Sequence, residues 1–357
     1  MSITSSPREG FEIEDYSENT VVPGLIDIHT HGYRGTDSMG SDLNSILKWA
    51  SDITSHGVTG ILPTSVSASH RNVVHFLDRI SEVIEEPNHN HGAEILGSRL
   101  EGPYINRIKA GAHRREYIRT PNEFEINDIS SFHSANLKIV DLAPEISGAT
   151  EAMKKLVRKG VIISAGHTNA NFEQAKSFFS SGVRLLTHFY NAMSGFHHRD
   201  VGMVGAGLLL PNFSLELISD FKHTAPEAID IAVKNKTWRN IILITDSMSA
   251  TDLGDGNYKL GDLEVEVVDA TCYIKGTRTL AGSTLTLDKA IKNLFEHGYD
   301  LSEVIGSATK NPAELLGLND RGVLEPGYRG DLCLLDNEMN VVATYVRGEQ
   351  VFDSEKP

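Results

Sequence analysis

Residues 21–32 read VVPGLIDIHTHG. An apolar run of strand length ends there in two histidines at i and i+2. Side chains alternate across a strand, so His29 and His31 face one side and can reach one metal ion. Taken alone, the pair reads equally well as two polar residues of a loop. Working outward, the same pattern recurs. VTGILPTS (58–65) is a second apolar run. Before it lies a helical stretch that Asp42 is placed to cap and Gly57 to stop. AEILGSRLEGPYI (93–105) ends its strand in Glu101, VIISAGHT (161–168) in His167, VRLLTHFYNAM (183–193) near His188, and IILITDSMSA (241–250) in Asp246. LKIVDLAPE (137–145) and FSLELISD (213–220) read as further strands. Helical stretches fall between them, at about 69–85, 150–159, 171–181 and 226–235.

Strands alternating with helices build parallel βαβ units. About eight such units in some 300 residues predict an α/β fold, a (β/α)8 TIM-like barrel. A doubly wound open sheet would gather its polar motifs at one switch point. Here they end five different strands, which favours the barrel. Two stretches break the rhythm. Residues 255–280 read as a β insertion, and the tail beyond residue 320 has short strands separated by Gly and Asn turns. The expected organisation is 1–21 as the short N-terminal part of a small β domain, 22–320 as the barrel, and 321–357 as the C-terminal part. The two ends would together make a small β-sandwich.

The chain has 357 residues and a net charge of 33 − 48 = −15. An acidic protein repels nucleic acid and anionic membranes, so neither is an expected partner. It also offers an anionic small molecule no long-range attraction, so a local cluster of His and Arg must hold one. Cys272 and Cys333 form no CxxC pair and no framework, which suits a reducing compartment. The N-terminus has no apolar core of a secretory signal, and no apolar run approaches a membrane span. A cytoplasmic protein is expected.

The chemistry sits at the strand ends. A carboxylate at Glu101, followed by a Gly-Pro turn, points into the crevice above a barrel. His167 and His188 each end an apolar run. Histidine and carboxylate donors together suit zinc, iron or another divalent transition metal. Asp246 is placed to take a proton from water activated by such an ion. Its alternative reading is a helix N-cap.

This set, HxH, Glu, His, His and Asp in order, resembles the amidohydrolase superfamily. No lysine fits the carboxylated bridge that many of its members use, since Lys138 lies at the wrong end of its strand; Glu101 takes that place. The segments PGLIDIHTHG, LEGPYINRIKAGAH, AGHTNA, THFYNAM, HHRDVGMVGAGL, ITDSM and LAGSTLTLDKA occur in the order seen in the N-acetylglucosamine-6-phosphate deacetylase family. The resemblance covers nearly the whole chain.

It implies hydrolysis of the acetamide of N-acetylglucosamine 6-phosphate by a homodimer carrying one or two divalent ions per subunit, zinc first, iron or manganese next. It implies Glu101, His167 and His188 as ligands of the main ion, and His29 and His31 as part of a second site. Asp246 would be base and then acid, and His113 would polarise the acetyl carbonyl. Asn191 and the backbone of Ala192 would touch the sugar phosphate, His223 would line the pocket, and Arg199 would reach the phosphate from the neighbouring subunit. The alternatives are another N-acetylated sugar or N-acyl amino acid as substrate, or a non-catalytic metal-binding scaffold.

Several of these residues also have ordinary readings. His113 sits beside Arg114 and Arg115 and reads as a surface residue, His198 and Arg199 as a solvated loop, and His223 as a cap. VGMVGAGL reads as a flexible loop, and Ser283 or Thr284 as the cap of the next helix. Three places depart from the family pattern. Phe221 replaces a glycine, which predicts a reshaped pocket; HHRDVG predicts a shifted Arg199 loop; and TDSMSATDLGDG is less alanine-rich than usual.

Overall fold

The side chains of Leu25–Thr30 are buried on both faces of the strand, as a strand between a barrel interior and a layer of helices must be. The computed structural model describes residues 16–86, 92–132, 136–211 and 213–356. Within them lie eight parallel strands: β1 (Leu25–Thr30), β2 (Val58–Ser65), β3 (Ser98–Glu101), β4 (Leu137–Leu142), β5 (Ile162–Ala165), β6 (Leu185–Leu186), β7 (Ser214–Leu217) and β8 (Ile241–Leu243). Each is hydrogen-bonded to the next in chain order. The ring closes just past β8. The Asp246 amide donates to the His29 carbonyl at 2.9 Å, and the His31 amide to the Ser247 carbonyl at 2.7 Å. The expected (β/α)8 barrel is therefore present, and β1 and the chain after β8 meet at the functional end.

Local sequence explains the helices that brace it. Asp42 accepts from the Ser45 amide at 2.8 Å and starts Leu43–Asp52. Ser69 caps His70–Glu85, which buries Val73, Phe76, Leu77, Ile80 and Val83 on one face. Asn171 and Gln174 form a capping box at Phe172–Ser180.

VGMVGAGL is not a flexible loop. Gly202–Leu209 is a helix whose Met203 and Ala206 are fully buried. A Cβ at Gly207 would come within 2.4 Å of the Phe189 ring, so only glycine lets this helix lie against the end of β6. Neither Ser283 nor Thr284 caps the helix Leu287–His297, which begins after Thr286. Ser283 instead donates its hydroxyl to the Thr245 carbonyl at 2.5 Å.

Two antiparallel sheets flank the barrel. Thr20–Pro23 pairs with Leu332–Leu335, followed by Val341–Val346 and Glu349–Asp353, so the two ends of the chain share one four-stranded sheet. Val22, Cys333, Leu335 and Val341 join the main core, while Leu332, Leu334, Ala343 and Tyr345 form a second small cluster. The insertion is a three-stranded meander, Gly256–Leu260, Leu263–Val268 and Thr271–Ile274. It is pinned by Leu260, Val265, Val267 and Cys272 packing on Met248 and Ala281. Cys272 and Cys333 are free and buried. Among the described residues, no helix is long and apolar enough to cross a membrane.

A partly buried polar knot joins the chain after β1, the segment before β2, the chain after β8 and the helix Leu287–His297. His56 lies 2.8 Å from the Asp252 carboxylate and 3.0 Å from Asp288, and Tyr33 donates to Asp252 at 2.7 Å. Burial opposes charge on His56, but the two carboxylates outweigh it and raise its pKa to about 9. The folded-state value lies above the ordinary 6.5, so this stabilisation is fully present below about pH 6.5 and fades as pH rises through about 9. His56→Gln should therefore lower unfolding free energy at pH 6 by something on the order of 1–3 kcal/mol. Urea denaturation of both proteins should show that gap narrowing by pH 10; a constant gap would contradict the charged pair.

Candidate active site

The alternation of β1 sends Asp27, His29 and His31 to one face and Ile26 and Ile28 to the other. His31 Nδ1 is 3.0 Å from the Thr64 carbonyl, and His29 Nδ1 is 3.3 Å from Glu216 Oε2. His167 Nδ1 is 2.7 Å from the Lys109 carbonyl. A carbonyl or carboxylate oxygen can only accept, so each Nδ1 carries a hydrogen, and Nε2 is the nitrogen whose lone pair a cation can take in place of a proton. All three lone pairs aim at the same place.

Glu101, at the end of β3, is the hub. Its Oε1 lies 3.0 Å from His167 Nε2 and 2.9 Å from His188 Nε2, and the two nitrogens are 3.1 Å apart. Its Oε2 lies 3.3 Å from His31 Nε2. Asp246 Oδ1 is 3.1 Å from His31 Nε2 and 3.6 Å from His29 Nε2, and the latter is buried with no hydrogen-bond partner. Lone pairs this close repel unless a cation sits among them. A tetrahedral ion with bonds of about 2.0–2.1 Å separates its ligands by roughly 3.3 Å, close to the spacing found here. One group of donors close enough for a divalent ion is His29, His31 and Asp246, and another is Glu101, His113 and His167, with His188 Nε2 also 2.9 Å from Glu101 Oε1 and 3.1 Å from His167 Nε2.

The carboxylates draw positive charge to the rings, whether as a proton on Nε2 or as a cation bound there. Burial and the Arg99 charge oppose protonation of His29, yet Asp246, Glu101 and Glu216 raise it to about 10. Burial also opposes charge on His31, which Asp246 and Glu101 raise to about 9. Burial pushes Asp246 up, but His29 and His31 outweigh it and hold the carboxyl at about 2. Burial likewise raises Glu101, whereas His113, His167 and His188 hold it well below the usual carboxylate range. His167 is pressed down to about 4, chiefly by burial and then by His113. Two ionised carboxylates thus face the site from dry surroundings, a field that favours positive charge.

Backbone geometry aims these groups. His167, His188 and Asp246 have φ of +47°, +30° and +52°. Non-glycine residues in that region store about 1–3 kcal/mol each, which the surrounding structure must over-determine. Asp246 is held by its own amide on His29 and by its carbonyl, which accepts from the Ser283 amide at 2.7 Å. No helix begins at Asp246, so the N-cap reading fails; the next helix starts at Leu287.

His113 is buried rather than on the surface. The Ser67 amide donates to its Nδ1 at 3.0 Å, so the ring hydrogen is on Nε2, 3.4 Å from Glu101 Oε2. Asn191, Ala192 and His223 join His31, Glu101, His113, His167, His188 and Asp246 around one cavity of about 430 Å³. His223 is fixed by Asp220 at 2.6 Å, so it neither caps a helix nor lies free in solvent.

Phe221 and Arg199 both lie off this cavity. Phe221 takes φ +59° and packs against the barrel core and the His297 ring. Arg199 is exposed, donates to His198 Nε2 at 2.8 Å, and is not brought to the cavity of its own chain.

Sequence reasoning also missed the support beneath the site. Arg99 is wholly buried on β3. It donates from Nε and Nη2 to Asp141 at 2.8 Å each, from Nη1 to Glu216 Oε1 at 2.5 Å, and to the Ile28 carbonyl at 3.0 Å. Glu216 Oε2 in turn accepts from His29 Nδ1 and, at 3.1 Å, from the His188 amide. The available signal was a charge within each of three strands, Arg99 in Ser98–Glu101, Asp141 in Leu137–Leu142 and Glu216 in Ser214–Leu217.

The whole chain can be set beside known proteins. A model of the amidohydrolase family matches residues 20–351. An N-acetylglucosamine-6-phosphate deacetylase of Vibrio furnissii is 36% identical over 336 residues, covering 94% of this chain and 83% of that protein. An N-acetylgalactosamine-6-phosphate deacetylase of Escherichia coli O157:H7 is 36% identical over 331 residues, covering 92% and 87%. The fold superposes with a TM-score of 0.92 on a mutant N-acetyl-D-glucosamine-6-phosphate deacetylase of Mycobacterium smegmatis in complex with N-acetyl-D-glucosamine-6-phosphate. That pair is 29% identical over 98% of this chain and 91% of the other.

Removing one member of a buried ion network leaves the others uncompensated, at a cost of about 3–5 kcal/mol. Arg99→Met should lower stability by about that amount, read by urea denaturation. A variant as stable as the parent would mean that Asp141 and Glu216 do not need the guanidinium.

Proposed function

The chain belongs to the amidohydrolase family, and we propose that it hydrolyses the acetamide of N-acetylglucosamine 6-phosphate to acetate and glucosamine 6-phosphate. The observation that carries this reading is the convergence of the Nε2 atoms of His167 and His188, the Glu101 carboxylate, Asp246 and the Nε2–H of His113 on one cavity. Glu101, His167 and His188 would hold the main divalent ion and His29 and His31 would contribute to a second, zinc first by donor chemistry, with iron or manganese also suited. Such an ion supplies Lewis-acid polarisation and makes water acidic enough to be deprotonated near neutral pH.

The side chains do the rest. Asp246, ionised and 3.1 Å from His31, accepts a proton from the attacking water. The water oxygen bonds to the acetyl carbon, and the carbonyl π pair moves onto its oxygen. His113 donates Nε2–H to that oxygen as its charge grows, from a ring already locked by Ser67. Collapse breaks the C–N bond. Asp246 then returns its proton to the departing nitrogen, because an amide anion is too poor a leaving group.

Asn191, the Ala192 backbone and His223 hold the sugar phosphate away from the reacting atoms, so binding there orients the acetyl group. Because Arg199 lies outside the cavity of its own chain, it would serve a phosphate only from a neighbouring subunit, which makes a homodimer part of the proposal.

A second reading has specific support. The relative named for the galactosamine epimer matches at the same 36% identity, so N-acetylgalactosamine 6-phosphate is the alternative substrate.

Asp246→Asn should cut kcat by roughly 10²–10⁴-fold with the fold and the ion held by Glu101, His167 and His188 intact. Near-normal turnover would remove Asp246 from the chemistry. Chelated protein should release no acetate from either epimer, and zinc should restore release. A metal-loaded protein inert on both phosphorylated sugars would leave the fold and metal site standing and overturn the substrate.

A further inference from the structure

An acidic protein must hold the phosphate of an anionic substrate against its own field, and Arg199 of the same chain does not line the cavity. Apart from histidines, the cations lining it among the described residues are Lys109 and Arg278. We propose that Lys109 and Arg278 form an anion clamp, supplied by the chain's own walls, that selects phosphorylated over unphosphorylated amino sugars. The clamp deepens the proposed reaction and rests on it for the identity of the sugar.

Each cation is tied to the chemistry from a different side. Lys109 ends the short 3-10 helix Arg107–Lys109, and its carbonyl accepts the Nδ1 hydrogen of His167 at 2.7 Å. Its position is thus fixed by a metal-facing ring. Arg278 stands at the tip of a turn that leaves Thr271–Ile274. The Ile274 amide donates to Thr279 at 2.9 Å, the Thr277 amide to Ile274 at 2.9 Å, and the Ala281 amide to Cys272 at 3.1 Å. The guanidinium lies over the Tyr273 ring, 5.6 Å from its centre. From this tip the chain runs through Leu280 and Gly282, both on the cavity wall, to the Ser283 amide that holds the Asp246 carbonyl.

Neither cation has a carboxylate partner among the described residues. Nearby Arg114 and Arg119 are paired with Glu116 and Glu125. In a chain with 48 acidic residues, two unpaired cations on one cavity are free to take an anion. Lys109 offers a point charge and Arg278 a planar fork, the two ways side chains grip phosphate.

The test compares kcat/KM for N-acetylglucosamine 6-phosphate and N-acetylglucosamine in Arg278→Met, Lys109→Met and the double variant. Lys275→Met is the control: it removes the same charge from the same insertion, at a residue that pairs with Glu264 and is off the cavity. Each clamp variant should lose roughly tenfold or more of the preference for the phosphorylated sugar, through KM, and the control should not. A double variant that keeps the parent's preference within about twofold overturns the clamp and leaves the reaction standing. Calorimetry with glucosamine 6-phosphate and glucosamine on metal-loaded protein separates the two ideas. A phosphate-dependent affinity that falls roughly tenfold or more in the double variant sustains the clamp even if no acetate is released. Equal parent affinity for the two sugars removes the clamp whatever the activity.

Discussion

A guanidinium buried at the centre of the barrel holds the site in register. Arg99 has no solvent to share its charge, so Asp141 and Glu216 must neutralise it, and together they take its Nε, Nη1 and Nη2 hydrogens. That requirement fixes Glu216, whose second oxygen then faces His29 Nδ1 and the His188 amide. Three strands far apart in sequence are thereby locked at one level of the barrel. The same bond decides which nitrogen of His29 carries hydrogen, and so which one is free for a cation. Such a network is costly to build and weak evidence for stability, because apolar residues of similar volume often serve as well. Its presence is better explained by orientation of the metal-facing groups above it.

The site above obeys one rule repeated. Each of His29, His31 and His167 gives its Nδ1 hydrogen to an oxygen of a different element, and each Nε2 faces a carboxylate. His113 is the exception with a reason. Its Nδ1 receives a hydrogen bond from the Ser67 amide, so its Nε2 is a donor. Four imidazoles of the same chemistry thus divide into three electron-pair donors and one proton donor by what the backbone offers them. A proposed ligand and a proposed oxyanion stabiliser differ here only in their second nitrogen.

What was legible in the sequence follows from this geometry. Residues at strand ends interrupt apolar runs, so Glu101, His167, His188 and Asp246 stood out, and the i, i+2 pair of His29 and His31 needed only strand alternation. Eight such runs sufficed for the barrel. The supporting layer was harder to read, because a lone charge inside an apolar strand does not announce its partners, and Arg99, Asp141 and Glu216 meet only once the barrel closes. The glycines of Gly202–Leu209 misled for a related reason. Spacing alone cannot distinguish glycine as a flexible hinge from glycine as room for the Phe189 ring. Phe221 could not be placed from sequence, because its packing against the barrel core and the His297 ring, off the cavity, depends on the fold.

Charge is the other constraint, and it acts on two scales. The surface is acidic overall, which lowers the encounter rate with anions. The field falls off within about 8–10 Å at physiological salt, so it does not govern what happens inside a cavity. There, Lys109 and Arg278, which have no carboxylate partner among the described residues, line the same cavity as a cluster of carboxylates and histidines. Specificity for an anion can therefore reside in the mouth while the floor stays suited to a metal ion. Separating the two also protects the chemistry. A phosphate allowed to the floor would compete with Glu101 and Asp246 for the cation, and the proposed clamp would hold it elsewhere, on Lys109, whose carbonyl bonds His167, and on Arg278, whose turn leads to the Ser283 amide on Asp246.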